Sequence, residues 1–61
     1  MEVSRAKIVA RLESEGWVNE GGAKHDRFDH AEKAALVIVP RHRNLSPGVA
    51  RSIAKAAGWM T

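Results

Sequence analysis

The chain of 61 residues has no cysteine, no tyrosine and no apolar run of membrane-spanning length. The lack of cysteine excludes a disulfide framework and cysteine-based metal or redox chemistry, and it fits a reducing cytosol. The longest apolar run, Ala34 to Val39, is far shorter than the ~20 residues of a transmembrane helix. Residues 1–16 mix charges throughout and lack the apolar centre of a signal peptide. These absences predict a soluble, cytoplasmic protein.

Acidic residues are missing from the second half of the chain. All seven acids lie in residues 1–32 beside five lysines and arginines, whereas residues 33–61 carry five more cations and no acid. The net charge is +3. A purely basic half favours a phosphate-rich or acidic partner, although such charge also serves solubility.

Chain length limits where chemistry can take place. A domain of this size buries only about 60% of the surface that its unfolded chain exposes. We therefore expect a single domain over residues 1–61, with no room for a deep cavity or an internal cofactor. Any reaction should take place on an exposed face, on a substrate large enough to lie across it.

The hydrophobic pattern predicts an α+β fold in the order helix, three strands, helix. Ser4 is a plausible N-cap of the first helix, and Gly16 supplies the left-handed residue after its end. Ser46-Pro47 begins the second helix and Gly58 closes it. Each helix has one apolar stripe, so both should pack on the same face of an antiparallel sheet.

The strands are predicted over residues 17–19, 24–30 and 35–39, with a Glu20-Gly21-Gly22 turn after the first. Alternation along the second strand places Phe28 on the core face, and it projects His25 and Arg27 together from the open face. The third strand is nearly continuous in apolar, β-branched residues. It should therefore be the central or most buried strand.

His25 is the candidate for proton transfer. It follows the glycine turn, lies next to Lys24 and shares a sheet face with Arg27. A metal-free ribonuclease needs such a group, because an imidazole moves protons while cations stabilise the phosphorane and the ribose 2′-OH acts as nucleophile. A histidine on a strand is more often structural or merely exposed, so the residues alone leave both roles open.

Several other residues have two possible interpretations. Arg41, His42 and Arg43 precede a helix N-terminus and either bind phosphate or form a solvated loop. Trp17 and Trp59 could stack on bases, although a position just after a helix-ending glycine favours packing.

Two further sites are weaker. His30 is expected at a strand end, without a functional role. A metal site built from His25, His30, Asp26 and Asp29 is disfavoured because alternation splits these residues between the two faces.

Five short motifs follow one another along essentially the whole chain. They are Glu15-Gly16-Trp17; Gly21-Gly22-Ala23-Lys24-His25 with Phe28; Val39-Pro40-Arg41-His42; Ser46-Pro47-Gly48; and residues 51–58. In order and spacing these motifs resemble the HicA toxins, also described as YcfA-like, of bacterial and archaeal toxin–antitoxin systems. The resemblance implies a fold like a double-stranded-RNA-binding domain and ribosome-independent cleavage of mRNA. It also implies a HicB-type antitoxin that covers the active face. The catalytic histidine of the family falls on His25, and Ala23-Lys24 stand where the family usually has Gly-Ser.

The resulting hypothesis is a metal-independent endoribonuclease toxin, an mRNA interferase, with His25 as general acid or base. Lys24 and Arg27 would be phosphate contacts, and Arg41, His42 and Arg43 a secondary basic patch. One alternative is a non-catalytic RNA-binding module on the same fold. Another is an interaction protein whose basic half docks an acidic partner.

Overall fold

The structure, a computed structural model, describes residues 1–60 and has the predicted order of elements. The elements are α1 (Arg5–Ser14), β1 (Val18–Asn19), β2 (His25–His30), β3 (Lys33–Pro40) and α2 (Pro47–Ala56). The three strands form one antiparallel sheet in the order β1-β2-β3. The α+β fold class is confirmed.

Both helices begin and end where the local sequence predicts. Ser4 Oγ accepts a hydrogen bond from the Lys7 N–H at 3.5 Å, and Ser46 Oγ accepts one from the Val49 N–H at 3.2 Å. These hydroxyl groups satisfy backbone donors that have no partner within the first helical turn. The chain leaves each helix through a glycine with positive φ, 94° at Gly16 and 82° at Gly58.

The prediction that the third strand is central is wrong. β2 is the central strand, and β3 forms an edge of the sheet. Leu36 and Ile38 are 47% and 42% exposed, so the apolar run is buried on one face only. Short turns join the strands in sequence order, and an antiparallel meander of this kind places its second strand in the middle.

The core lies between one face of the sheet and both helices, as predicted. It contains Ile8, Leu12, Trp17, Phe28, Val37, Val39, Leu45, Ala50, Ile53 and Ala57. Trp17 is 2% exposed and Trp59 packs against this cluster, which confirms packing roles for both tryptophans. Among residues 1–60, no helix packs on the opposite face of the sheet. Neither helix within residues 1–60 is long and apolar enough to cross a bilayer.

Candidate functional site

The open face of the sheet carries His25 and Arg27. Both side chains are exposed. Asp26, which lies between them in the chain, and Phe28, which follows Arg27, are buried, as strand alternation predicts. His25 is the first residue of β2 and lies opposite Pro40 on β3. The sheet therefore presents an imidazole and a guanidinium side by side on a face that none of the described helices covers.

Two more features make this face suitable for an anion. Lys24 is exposed and directly precedes His25 in the turn. Arg27 Nε lies 3.6 Å from Asp29 Oδ2, and both side chains are about half exposed. An exposed pair of this kind typically contributes less than about 1 kcal/mol. The Arg27 guanidinium can therefore leave Asp29 for a phosphate at little cost.

Beneath the open face, Asp26 forms ion pairs with two arginines. Its side chain points to the core side and the residue is 8% exposed. Arg5 from α1 pairs with Oδ2, and Arg41 Nη2 lies 2.8 Å from Oδ1. A buried carboxylate requires such partners to remain charged. Hydrogen bonds from Arg41, with the charge of Arg5 beside them, hold the pKa of Asp26 below its ordinary value.

Arg41 also holds the turn that precedes His25. Its Nη2 donates to the Gly22 carbonyl at 2.8 Å, and its Nη1 donates to the Ala23 carbonyl at 3.4 Å. The guanidinium thus joins Asp26 to the backbone just before Lys24. This geometry makes Arg41 a residue that positions the turn, with most of its donors already engaged.

The turn itself lies close against the start of β2. Gly22 has a φ of 153°, and a Cβ at this position would lie well under 3.0 Å from the His25 carbonyl oxygen. Asn19 Oδ1 accepts a hydrogen bond from the Gly21 N–H at 2.7 Å. Glycine at position 22 is therefore needed for the turn to approach His25.

His42 and Arg43 lie in the loop that follows Pro40, the strand partner of His25. Their side chains are exposed, while the loop backbone is fixed to α1: the Arg5 N–H donates to the Arg43 carbonyl at 3.1 Å. The secondary basic patch consequently lies at the same end of the sheet as His25.

His30 lies away from the open face and has structural contacts. Its Nδ1 accepts a hydrogen bond from the Glu32 N–H at 3.0 Å, which leaves Nε2 to donate to the Glu15 carbonyl at 2.9 Å. The ring also packs edge-on against Trp17 at a centroid distance of 5.2 Å. Within residues 1–60, no three His, Cys, Asp or Glu side chains group together as a metal site would require.

Sequence reasoning missed the roles of Asp26 and Arg5. The signal was present in the alternation pattern, which places Asp26 on the core face beside Phe28. A charged side chain on that face needs a cationic partner. The pattern along one strand does not identify that partner, because Arg5 is 21 positions away in the chain.

Comparison with known families shows which family this chain belongs to. The family model described as HicA toxin of bacterial toxin–antitoxin matches residues 5–59, a range that includes every helix and strand. This chain belongs to the HicA toxin family. No curated protein gives a match to it. Membership in the HicA family assigns the chain a toxin function and, in general terms, a partner within a toxin–antitoxin system.

Proposed function

We propose that this HicA-family toxin is an endoribonuclease that cleaves mRNA, with His25 as its general acid or base. The observation that carries the proposal is the exposed His25 on the open sheet face, with Lys24 and Arg27 beside it. A face of this kind accepts a long polyanion rather than a small molecule.

The reaction that fits these groups uses the substrate's own nucleophile. The ribose 2′-oxygen attacks the adjacent phosphorus and the 5′-oxygen of the next nucleotide leaves. The products are a 2′,3′-cyclic phosphate and a 5′-hydroxyl. His25 accepts the 2′-hydroxyl proton or donates a proton to the leaving oxygen, and water exchanges the other proton. Lys24 and Arg27 stabilise the charge that develops on the phosphorane oxygens. DNA lacks the 2′-hydroxyl and is not cleaved.

The loop after β3 extends the RNA surface. His42 and Arg43 are exposed at the His25 end of the sheet and can contact phosphates flanking the cleaved bond. Arg41 contributes by holding the Gly22-Ala23 turn, on which the position of Lys24 and His25 depends.

The proposed partner is a HicB-type antitoxin that covers the open face. The second half of the chain has five cations and no acid, so an acidic antitoxin surface would match it and would exclude RNA.

The decisive experiment compares His25→Ala with His42→Ala. Both histidines are exposed, so neither change should reduce the free energy of unfolding. General acid–base catalysis by one group typically contributes ~10²–10⁴-fold, so His25→Ala should lower the cleavage rate by that factor and abolish growth arrest. His42→Ala should weaken RNA binding only. Cleavage should persist in EDTA and give 2′,3′-cyclic phosphate ends.

Unchanged toxicity of a folded His25→Ala protein would contradict the catalytic assignment. One exposed imidazole among several cations also fits a module that binds RNA without cutting it. A wild-type protein that binds RNA but yields no cleavage products would establish this second function instead.

A further inference from the structure

Two large aliphatic side chains of β3 lie on the same sheet face as His25 and Arg27. Leu36 and Ile38 are both exposed, whereas Val37 between them is buried in the core. The strand register fixes this direction, because Ile38 lies opposite Arg27 and opposed residues of antiparallel strands project from the same face. Leu36, two positions along the strand, shares that face. We call these two side chains the aliphatic shelf.

The aliphatic shelf lies within reach of the groups proposed to act on RNA. Directly opposed residues have Cβ atoms about 4.5–5.5 Å apart, so Ile38 is an immediate neighbour of Arg27. His25 lies opposite Pro40, which makes Ile38 its diagonal neighbour at about 7–8 Å. A nucleotide whose phosphate contacts Arg27 and whose ribose lies at His25 therefore has Ile38 beside it.

The surroundings of Arg27 limit where the base of that nucleotide can lie. Along β2, Asp29 Oδ2 lies 3.6 Å from Arg27 Nε, and its negative charge repels a second phosphate. Across the sheet, the aliphatic shelf is uncharged and apolar. The flat faces of a nucleobase pack against such side chains, because the contact brings dispersion attraction and removes apolar surface from water. Arg27 thus suits the phosphate, and the aliphatic shelf suits the base.

No indole or phenyl ring competes with the aliphatic shelf for this role. Trp17 and Phe28 are buried, and Trp59 packs against the core and donates from Nε1 to Glu15 Oε1 at 2.6 Å. The chain has no tyrosine. Proteins that bind single strands normally stack bases on such rings. Within residues 1–60, the apolar groups that the open face offers to a base are therefore aliphatic.

We propose that the aliphatic shelf binds an unpaired base that flanks the cleaved bond, so that this surface selects single-stranded RNA over duplex RNA. The inference rests on the proposed function, because it concerns the nucleotide held at Arg27 and His25. A paired base has its faces covered by neighbouring bases, and it must first leave the double helix to reach Ile38. Aliphatic side chains have no hydrogen-bonding group, so the shelf accepts all four bases.

The test compares three ligands that cannot be cleaved: a 2′-O-methyl RNA single strand, its duplex, and an oligomer with the same backbone and no bases. Duplex RNA carries more charge per length, so electrostatic attraction alone favours it. The wild type should nevertheless bind the single strand more tightly at equal salt. Ile38→Thr keeps a β-branched side chain but shortens its apolar part, so it should weaken single-strand binding about fivefold. Its affinity for the baseless oligomer should equal that of the wild type.

Val18→Thr is the matched control. Val18 is exposed on the same sheet face, but it lies on β1 opposite Asp29, on the far side of β2 from the aliphatic shelf. Two strand spacings, about 9–10 Å, separate it from β3. This variant should bind all three ligands as the wild type does. Leu36→Thr removes the other part of the shelf and provides a second variant for the case that Ile38→Thr does not fold.

Unchanged single-strand affinity in the folded shelf variants would overturn the proposal, as would an equal loss for the baseless oligomer or a wild-type preference for the duplex. Loss of antitoxin binding with unchanged RNA affinity would assign the aliphatic shelf to the protein partner instead. A wild type that binds none of the three ligands would overturn both this inference and the RNA surface on which it rests. Unchanged cleavage by His25→Ala would contradict the catalytic assignment alone.

Discussion

The substitution Gly22→Ala tests whether the turn before β2 positions the proposed catalytic group. The added Cβ would lie well under 3.0 Å from the His25 carbonyl oxygen, whereas ordinary contact begins at 3.4 Å. The turn and the start of β2 must therefore separate by more than 0.4 Å. Misplacement by about 1 Å can cost ~10²-fold in rate, so cleavage should fall by about tenfold to a hundredfold. The strained backbone should also cost about 1–3 kcal/mol of stability.

Gly21→Ala is the matched control for this experiment. Gly21 also has positive φ, 77°, but a Cβ there meets no atom within 4 Å. Its left-handed conformation should cost about 1–2 kcal/mol, which is close to the cost at Gly22. Both variants should lose stability in thermal unfolding, Gly22→Ala by at least as much as Gly21→Ala, and only Gly22→Ala should lose most of its cleavage of an RNA oligonucleotide.

A wild-type cleavage rate in folded Gly22→Ala would show that the position of His25 does not depend on the turn. An equal loss of cleavage in both variants would instead point to a general effect of stability on activity. Amide resonances of β2 provide an independent check, since the His25 amide should shift in the Gly22 variant alone.

Two further predictions follow from the arginine contacts. Asp26→Asn should lower Tm at neutral pH. Because the fold depresses the pKa of Asp26, the charged carboxylate stabilises the protein at pH values above its ordinary pKa of 3.8. The difference in Tm between the variant and the wild type should therefore disappear as the pH falls below that value. Arg43→Ala should weaken RNA binding to all sequences alike and reduce the slope of log affinity against log salt by about 0.7, whereas Arg41→Ala should mainly lower Tm. A full salt slope in folded Arg43→Ala would place the RNA surface elsewhere.

Local signals in the sequence predict much of this fold. The caps at Ser4 and Ser46 and the glycines after both helices depend on a few neighbouring residues, and all are confirmed. Whether β3 is central depends instead on which strands pair, which the composition of one strand does not reveal. The apolar residues Leu36 and Ile38 suggested burial on both faces, yet they lie exposed at an edge.

Some features of the candidate site, like some of the fold, can be predicted from neighbouring residues, and others depend on distant contacts. Strand alternation is enough to predict that His25 and Arg27 share the open face, because it requires no knowledge of distant contacts. The function of Arg41 could not be predicted, since its partner Asp26 lies 15 positions away in the chain. The basic patch of Arg41, His42 and Arg43 stays a prediction, and the structure adds that Arg41 contacts Asp26 and two backbone carbonyl groups.

The contacts around Asp26 explain how so small a protein holds its site in place. The turn at residues 20–24 contributes no large apolar side chain to the core, so hydrophobic packing cannot fix it. Polar contacts do so instead, through Arg41 to two carbonyl groups and through Asn19 to Gly21. A few polar contacts outside the core therefore hold the turn, and with it the site, in position. Variants of the turn can then lose catalysis while the core, and with it cooperative unfolding, remains intact.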